Sequence, residues 1–119
     1  MRHVEDTLQR SCVQWFDWTH PTISHLLFHV PNGGYRNTKE AARFKTMGVR
    51  PGVADLILLV PGNGAHFLCL ELKVGKNSQT ENQRWFQHLV TQAGGRYAVV
   101  HSLDEFITEI ENHLKPQEK

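Results

Sequence analysis

Apolar residues at helical spacing predict a long helix at the start of the chain. It covers roughly residues 4–18, where hydrophobic side chains recur every three or four positions: Val4, Leu8, Cys12, Trp15 and Phe16. His20-Pro21 is expected to end it. A second helix is predicted between Asn37, which has Glu40 three residues on, and Gly48, a typical helix stop.

Two capping-box patterns predict two more helices in the second half. The pattern Ser78–Glu81 predicts a helix over roughly 79–93, which Gly94-Gly95 would end. The pattern Ser102–Glu105 predicts a last helix, whose apolar face would carry Phe106, Ile107, Ile110 and Leu114.

Four shorter apolar segments predict strands: Leu26–Val30, Ala54–Val60, Ala65–Val74 and Tyr97–His101. Only the turn sequence Pro61-Gly62-Asn63-Gly64 separates the second from the third, so these two are expected to form a hairpin. The resulting order is α-β-α-β-β-α-β-α. It predicts an α/β (α+β) fold with a central mixed β-sheet flanked by helices. The whole chain, residues 1–119, is expected to form one domain.

Three charged side chains interrupt the apolar hairpin. Asp55 lies near the start of its first strand, while Glu71 and Lys73 flank Leu72 and therefore share one face of the second strand. Two buried carboxylates side by side are unfavourable unless a cation lies between them. A hard divalent cation such as Mg²⁺ takes oxygen ligands of this kind. The alternative is an exposed edge hairpin whose charges face solvent, but the apolar residues around Glu71 argue against an exposed edge.

The hairpin register decides whether the two carboxylates can share a cation. Directly opposed residues of antiparallel strands lie on the same face, and the face alternates along each strand. We therefore predict a register that sets Asp55 opposite Glu71, through a connection of three or five residues around Gly62-Asn63-Gly64 or through a bulge of equal parity. The face that carries the two carboxylates would then include Ile57, Leu59, Phe67 and Cys69, and the opposite face Leu56, Leu58, Leu70 and Leu72.

Composition and charge narrow the class of protein. The net charge of +1 conceals a basic middle, because residues 35–96 contain nine basic and four acidic side chains. A basic surface suits a polyanionic partner such as nucleic acid.

No apolar run of membrane-spanning length and no secretory signal are present, and the two cysteines are too isolated for a disulfide framework. We therefore expect a cytoplasmic protein with no membrane partner and no small-molecule cofactor. The three tryptophans are expected mainly in the core.

Three motifs together resemble the VRR-NUC family. They are Gly48-Val49-Arg50-Pro51-Gly52-Val53-Ala54-Asp55, then Glu71-Leu72-Lys73, then Gln83-Arg84-Trp85, in that order and spacing. VRR-NUC proteins, the virus-type replication-repair nucleases, form part of the PD-(D/E)XK nuclease superfamily, so the resemblance implies a restriction-endonuclease-like core. The residue before the aspartate is usually proline in the family and is Ala54 here.

The resemblance also implies roles for individual residues. It implies a Mg²⁺ or Mn²⁺ site formed by Asp55, Glu71 and the backbone carbonyl of Leu72, with Lys73 as the catalytic lysine. Gln83 matches the glutamine of the family's following motif and would face the site. Glu5 matches an acidic residue of the first helix that often completes such sites, although an acid in the first turn also suits a helix N-terminus without any function.

These observations predict a metal-dependent endonuclease that hydrolyses DNA phosphodiester bonds. Its DNA contacts are expected from the basic middle: Tyr35, Arg36, Lys39, Arg43 and Lys76. Standalone members of the family resemble Holliday-junction resolvases, which implies branched DNA as the substrate and a homodimer. The resemblance also implies a role in DNA repair, recombination or phage replication, in the cytoplasm of a bacterial or phage-infected cell. The alternative is a non-catalytic DNA-binding module that kept the nuclease fold.

Overall fold

The computed structural model describes residues 2–31 and 38–116. Its helices and strands follow the predicted order: α1 (Arg2–Thr19), β1 (Leu27–His29), α2 (Thr38–Thr46), β2 (Leu56–Leu58), β3 (Leu68–Leu72), α3 (Glu81–Gln92), β4 (Arg96–Val100) and α4 (Leu103–Leu114). A short 3-10 helix, Pro21–Leu26, lies between α1 and β1. In the described part of the chain, no helix is both long enough and apolar enough to cross a membrane.

The four strands form one mixed sheet in the order β1-β2-β3-β4. The first three strands pair antiparallel, and β4 runs parallel to β3. Every residue of β3 is buried, since this strand has neighbours on both sides and helices over both faces. The alternative of an exposed edge hairpin is therefore excluded, and the predicted mixed sheet flanked by helices is confirmed.

The larger core fills one face of the sheet. Alternate residues of the hairpin strands, among them Leu56, Leu58, Leu70 and Leu72, pack there with buried residues of α1 and α4: Cys12, Phe16, Phe106 and Ile110. Burying side chains of this size stabilises the fold by roughly 1.5–3 kcal/mol each. The apolar faces predicted for the first and last helices are thus the surfaces that cover this side of the sheet.

A smaller core lies on the other face, beneath α3. It consists of Ala54, Cys69 and Val90 with the partly buried Ile57, Phe67, Phe86 and Tyr97. Three of the four apolar residues predicted for the carboxylate-bearing face belong to this core. The fourth, Leu59, is 52% exposed and lies outside it. Both cysteines are buried free thiols, and burial raises the pKa of Cys69 to about 11, so both act as small hydrophobic residues.

The hairpin has the predicted parity, and a bulge produces it. Leu56 lies opposite Leu70 and Leu58 opposite Leu68, so Asp55 and Glu71 follow as the next residues on one shared face. The turn itself is the two-residue connection 63–64 between the paired Gly62 and Ala65. Three residues separate Leu58 from Gly62 but only two separate Ala65 from Leu68, and that extra residue restores the register.

The second hairpin strand is shorter than predicted because its first residues leave the ladder with β2. Their hydrogen bonds are made with the segment that enters β4: the His66 amide donates to the Gly94 carbonyl, and the Phe67 carbonyl accepts from the Arg96 amide. The connection between β2 and β3 is also held by α4, which covers the opposite face of the sheet: its buried His113 donates from Nε2 to the Val60 carbonyl. The predicted strand Ala65–Val74 is therefore corrected to Leu68–Leu72.

Two capping predictions had different outcomes. Ser102 does cap α4, since its hydroxyl accepts from the Glu105 amide. The predicted box Ser78–Glu81 is wrong. The N-cap of α3 is Thr80, whose hydroxyl accepts from the Gln83 amide, while Gln83 Oε1 accepts from the Thr80 amide. The helix therefore begins one or two residues later than predicted, and Gln79 remains outside it.

Candidate active site

Glu71 is the most buried charged residue of the site. It lies near the end of the central strand β3, and the residue is 1% exposed. Its Oε1 accepts from the Tyr97 hydroxyl at 2.5 Å and from Gln79 Nε2 at 3.0 Å. Its Oε2 accepts no hydrogen bond from any described residue and lies 3.6 Å from Lys73 Nζ. One carboxylate oxygen is thus held by protein donors while the other stays open.

Asp55 is fixed beside Glu71 by the backbone of both neighbouring strands. Its Oδ2 accepts from the Leu72 amide at 2.7 Å, which ties the start of β2 to the end of β3. Its carbonyl oxygen accepts from the Val30 amide at 3.1 Å and from His29 Nδ1 at 2.8 Å. Burial raises the pKa of Asp55 and the nearby charge of Glu71 raises it further, against the Leu72 hydrogen bond, which lowers it.

Lys73 follows β3 directly and is positioned by β4. Its amide donates to the Val100 carbonyl at 3.0 Å, so the backbone of Lys73 remains attached to the sheet after the strand ends. Its side chain is 12% exposed, and Nζ reaches the open oxygen of Glu71. The structure therefore brings Asp55, Glu71 and Lys73 together at one end of the hairpin, as the spacing of the motifs predicts.

The donor set fits a hard divalent cation. A buried carboxylate oxygen without a hydrogen-bond donor costs free energy unless a cation satisfies it, and Glu71 Oε2 is such an atom. Mg²⁺ commonly binds through one or two carboxylates and keeps water or phosphate as its other ligands. Within residues 2–31 and 38–116, no three His, Cys, Asp or Glu side chains form a metal-binding cluster. The protein thus offers two carboxylates, Asp55 and Glu71, rather than a complete cage.

Glu5 lies within electrostatic reach of this pair but does not complete a cluster. It is in the first turn of α1 and is partly buried. Burial raises the pKa of Glu5, and the charge of Asp55 raises it further, whereas Lys73 lowers it. Those interactions place Glu5 on the site's side of α1. Its part in metal binding stays a prediction.

The glutamine that contacts Glu71 is Gln79, not the predicted Gln83. The side chain of Gln83 is occupied by the Thr80 capping box, whereas Gln79 Nε2 donates to Glu71 and, at 2.8 Å, to Gln87 Oε1. The sequence alone did not identify Tyr97, Gln79 or Gln87 as residues of the site. A signal existed only for Tyr97: residues two apart on a strand share a face, and Tyr97 is two residues before Val99, which lies opposite Glu71.

The structure describes three of the five residues predicted to contact DNA. Tyr35 and Arg36 lie outside the described residues. Lys39 and Arg43 are exposed one turn apart on α2, a helix without buried residues, and Lys76 is exposed in the turn after β3. Arg43 also lies over the Phe44 ring, 4.8 Å from its centre. These three cations are accessible to a polyanion, and their contact with DNA stays a prediction.

Replacing Asp55 with asparagine is expected to stabilise the metal-free protein at neutral pH. Because burial raises the folded-state pKa of Asp55, its contribution to folding is present below the unfolded pKa and is lost as the pH rises through the folded value. At neutral pH the ionised group therefore opposes folding. Asparagine keeps an oxygen for the Leu72 amide without the charge. We expect a Tm gain of a few degrees in EDTA by differential scanning fluorimetry.

The Tm gain of the Asp55→Asn variant is expected to shrink towards acidic pH, where Asp55 itself becomes neutral. Mg²⁺ should raise the Tm of the wild type and not that of the variant. Glu111→Gln, an exposed substitution on α4, is the matched control and should leave Tm unchanged. An Asp55→Asn variant that melts at or below the wild-type Tm in EDTA would contradict the conclusion that the charge of Asp55 opposes folding.

The fold and the carboxylate–lysine site define a nuclease-type domain, and the comparisons with known proteins agree. The family model of the VRR-NUC domain matches residues 3–104. The chain therefore belongs to the VRR-NUC family. A solved structure described as a VRR_NUC domain protein superimposes with a TM-score of 0.81 at 27% sequence identity, covering 93% of this chain and 88% of that one. No curated protein matches the chain.

Proposed function

We propose that this protein is a divalent-metal-dependent endonuclease that hydrolyses DNA phosphodiester bonds. The observation that carries the proposal is the state of Glu71, which is 1% exposed with Oε1 held by two donors and Oε2 left open. A fold whose only task was to bind DNA would gain nothing from burying a carboxylate in this way. Asp55 and Lys73 on the same face complete the set that phosphodiester hydrolysis needs.

The cation-binding groups would be Asp55, Glu71 and the carbonyl oxygen of Leu72, with Glu5 nearby. A bound Mg²⁺ or Mn²⁺ supplies Lewis-acid stabilisation of the negative charge that develops on the phosphoryl group. The Leu72 amide holds Asp55 Oδ2 and thereby orients that carboxylate. Lys73 adds a positive charge beside Glu71, where it orients the attacking water and stabilises the charge of the transition state.

DNA recognition is proposed to rest on backbone charge and shape. The accessible cations Lys39, Arg43 and Lys76 suit phosphate contacts, which position a protein on DNA without reading its sequence. We propose branched DNA, and in particular a four-way junction, as the preferred substrate. A junction presents two equivalent strands, so symmetric cleavage needs two copies of the active site. The active form is accordingly proposed to be a homodimer.

The test of this function is a cleavage assay on labelled four-way junctions, flaps and linear duplexes. Each substrate is incubated in EDTA, Mg²⁺ or Mn²⁺, and the mass of the active species is measured in parallel by light scattering. We expect cleavage only with the divalent ions and fastest on the junction. Binding without cleavage of any substrate under any metal condition would favour the alternative, a non-catalytic DNA-binding module.

Binding to DNA is expected to weaken steeply with salt. Each neutralised phosphate releases condensed counterions, so the log–log plot of affinity against salt should fall with a slope near −0.9 per contact. Lys39→Ala and Arg43→Ala should each reduce that slope by about 1. Lys115→Ala, an exposed lysine that follows α4, is the control and should not change it. Fluorescence anisotropy over a salt series measures the slope, and a flat plot would show that the basic middle is only a solvated surface.

A further inference from the structure

Two residues outside the family motifs hold one oxygen of Glu71. Tyr97 lies opposite Cys69 on β4 and donates from its hydroxyl to Glu71 Oε1 at 2.5 Å, and Gln79 Nε2 donates to the same oxygen at 3.0 Å. No described donor reaches Oε2, which lies on the side of Lys73. Both hydrogen bonds therefore fall on one oxygen of the same carboxylate.

Both donors are themselves held in place. The Tyr97 ring packs edge-to-face against Phe86 of α3, with 6.2 Å between centroids, in the small core under that helix. The side-chain amide of Gln79 also donates from Nε2 to Gln87 Oε1 at 2.8 Å, and the backbone carbonyl of Gln79 accepts from Arg84 Nη1 at 2.8 Å. Because both partners of Gln79 Nε2 are acceptor oxygens, the reverse orientation of this amide would set oxygen against oxygen.

The direction of donation is fixed as well. An ionised carboxylate has only acceptor oxygens, so the Tyr97 hydroxyl is the donor in this hydrogen bond. A carboxylate held at one oxygen by two donors cannot rotate about its terminal bond without losing both. The open oxygen consequently keeps one direction, towards Lys73 and the face shared with Asp55.

We propose that Tyr97 and Gln79 are positioning residues that fix the rotation of the Glu71 carboxylate, so that Oε2 is presented to the divalent cation. This inference rests on the proposed cation site and adds to it the groups that orient its buried ligand. Outer partners of this kind typically contribute 10- to 100-fold to metal affinity or activity. The resemblance to VRR-NUC motifs assigns no role to either residue.

The experiment measures Mn²⁺ binding directly, by electron paramagnetic resonance of free Mn²⁺ added to the EDTA-stripped full chain. Tyr97→Phe removes only the hydroxyl and keeps the ring against Phe86. We expect about 10-fold weaker Mn²⁺ binding, a similar rise in the Mn²⁺ concentration that gives half-maximal cleavage, and a kcat at saturating Mn²⁺ close to that of the wild type. A merely structural role would lower Tm and kcat together without this split.

Gln79→Ala provides a second variant outside any helix or strand, in case the Tyr97 variant does not fold. It should shift Mn²⁺ binding in the same direction. The control is Gln92→Ala at the exposed end of α3, which should bind Mn²⁺ as the wild type does. If the wild type binds Mn²⁺ and both variants bind it equally well, the positioning role is overturned while the proposed function stands. If the wild type binds no Mn²⁺, the proposed function and this inference both fail.

Discussion

Replacing Glu71 or Asp55 with alanine should abolish DNA cleavage and leave the fold and the DNA affinity largely intact. Each substitution removes a ligand of the proposed cation, which supplies several kcal/mol of transition-state stabilisation, so kcat should fall about 1,000-fold or more. Lys73→Ala should be nearly as severe, because it removes the positive charge beside Glu71 Oε2. Single-turnover cleavage of a labelled junction, with saturating Mg²⁺, measures the effect.

Two further variants separate catalysis from folding. Glu71→Gln keeps the size and an oxygen for Tyr97 and Gln79 but loses the charge, and it should be as inactive as Glu71→Ala. Asp104→Ala removes an exposed carboxylate from α4 and should retain full activity. Circular dichroism checks the fold and anisotropy checks DNA affinity. Turnover close to wild type in either Glu71 variant, free of contaminating nuclease, would eliminate the assignment of this residue.

The sequence allowed the central geometry of the site to be predicted because strand alternation has a fixed period. Once Asp55 and Glu71 were required to share a face, the pairing of Leu56 with Leu70 followed, together with a bulge or an odd connection. The same period sorted the buried leucines onto one face of the sheet and Ile57 with Cys69 onto the other. What alternation did not indicate was that His66 would leave the ladder with β2, since its amide donates to the Gly94 carbonyl.

The start of α3 could not be predicted because two overlapping patterns compete there. Both Ser78–Glu81 and Thr80–Gln83 have the form of a capping box, and local propensity does not distinguish them. Tertiary contacts agree with the second, since Gln79 then lies outside the helix and reaches both Glu71 and Gln87. For the same reason Gln83 was expected to face the site, whereas its side chain caps the helix at Thr80.

The pairing of distant strands and the exposure of individual tryptophans could not be predicted from the sequence either. The contact between Tyr97 and Glu71 depends on the parallel register of β3 with β4, in which Cys69 faces Tyr97, and no local pattern sets a parallel register. The expectation that tryptophans lie mainly in the core holds for Trp15 but is wrong for Trp18 and Trp85, which are 78% and 60% exposed. Hydrophobic residues on the surface are common, because apolar atoms make up much of any folded surface.

Replacing Gly52 with alanine is expected to destabilise the protein far more than the same change at Gly48. Both glycines have a positive φ, +78° and +103°, so alanine is strained at either position and costs about 1–2 kcal/mol. At Gly48 the added methyl group meets nothing within 4 Å. At Gly52 it would lie 2.5 Å from the carbonyl carbon and 2.6 Å from the carbonyl oxygen of Asn82, in the backbone of the first turn of α3.

The contact at Gly52 also links stability to the site, because Gly52 leads into Asp55 and α3 follows Gln79. Forcing α3 away adds an overpacking cost, bringing the total for Gly52→Ala to about 3 kcal/mol or more. For a chain of this size that corresponds to a Tm loss of about 10 °C, against a loss of about 5 °C for Gly48→Ala. Calorimetry measures both variants in EDTA. Cleavage by Gly52→Ala, assayed well below its Tm and at a metal concentration below saturation, should also fall, since the shift of α3 withdraws Gln79 from Glu71. Equal Tm losses in the two variants would mean that the segment before Asp55 is not packed against α3 as the structure shows.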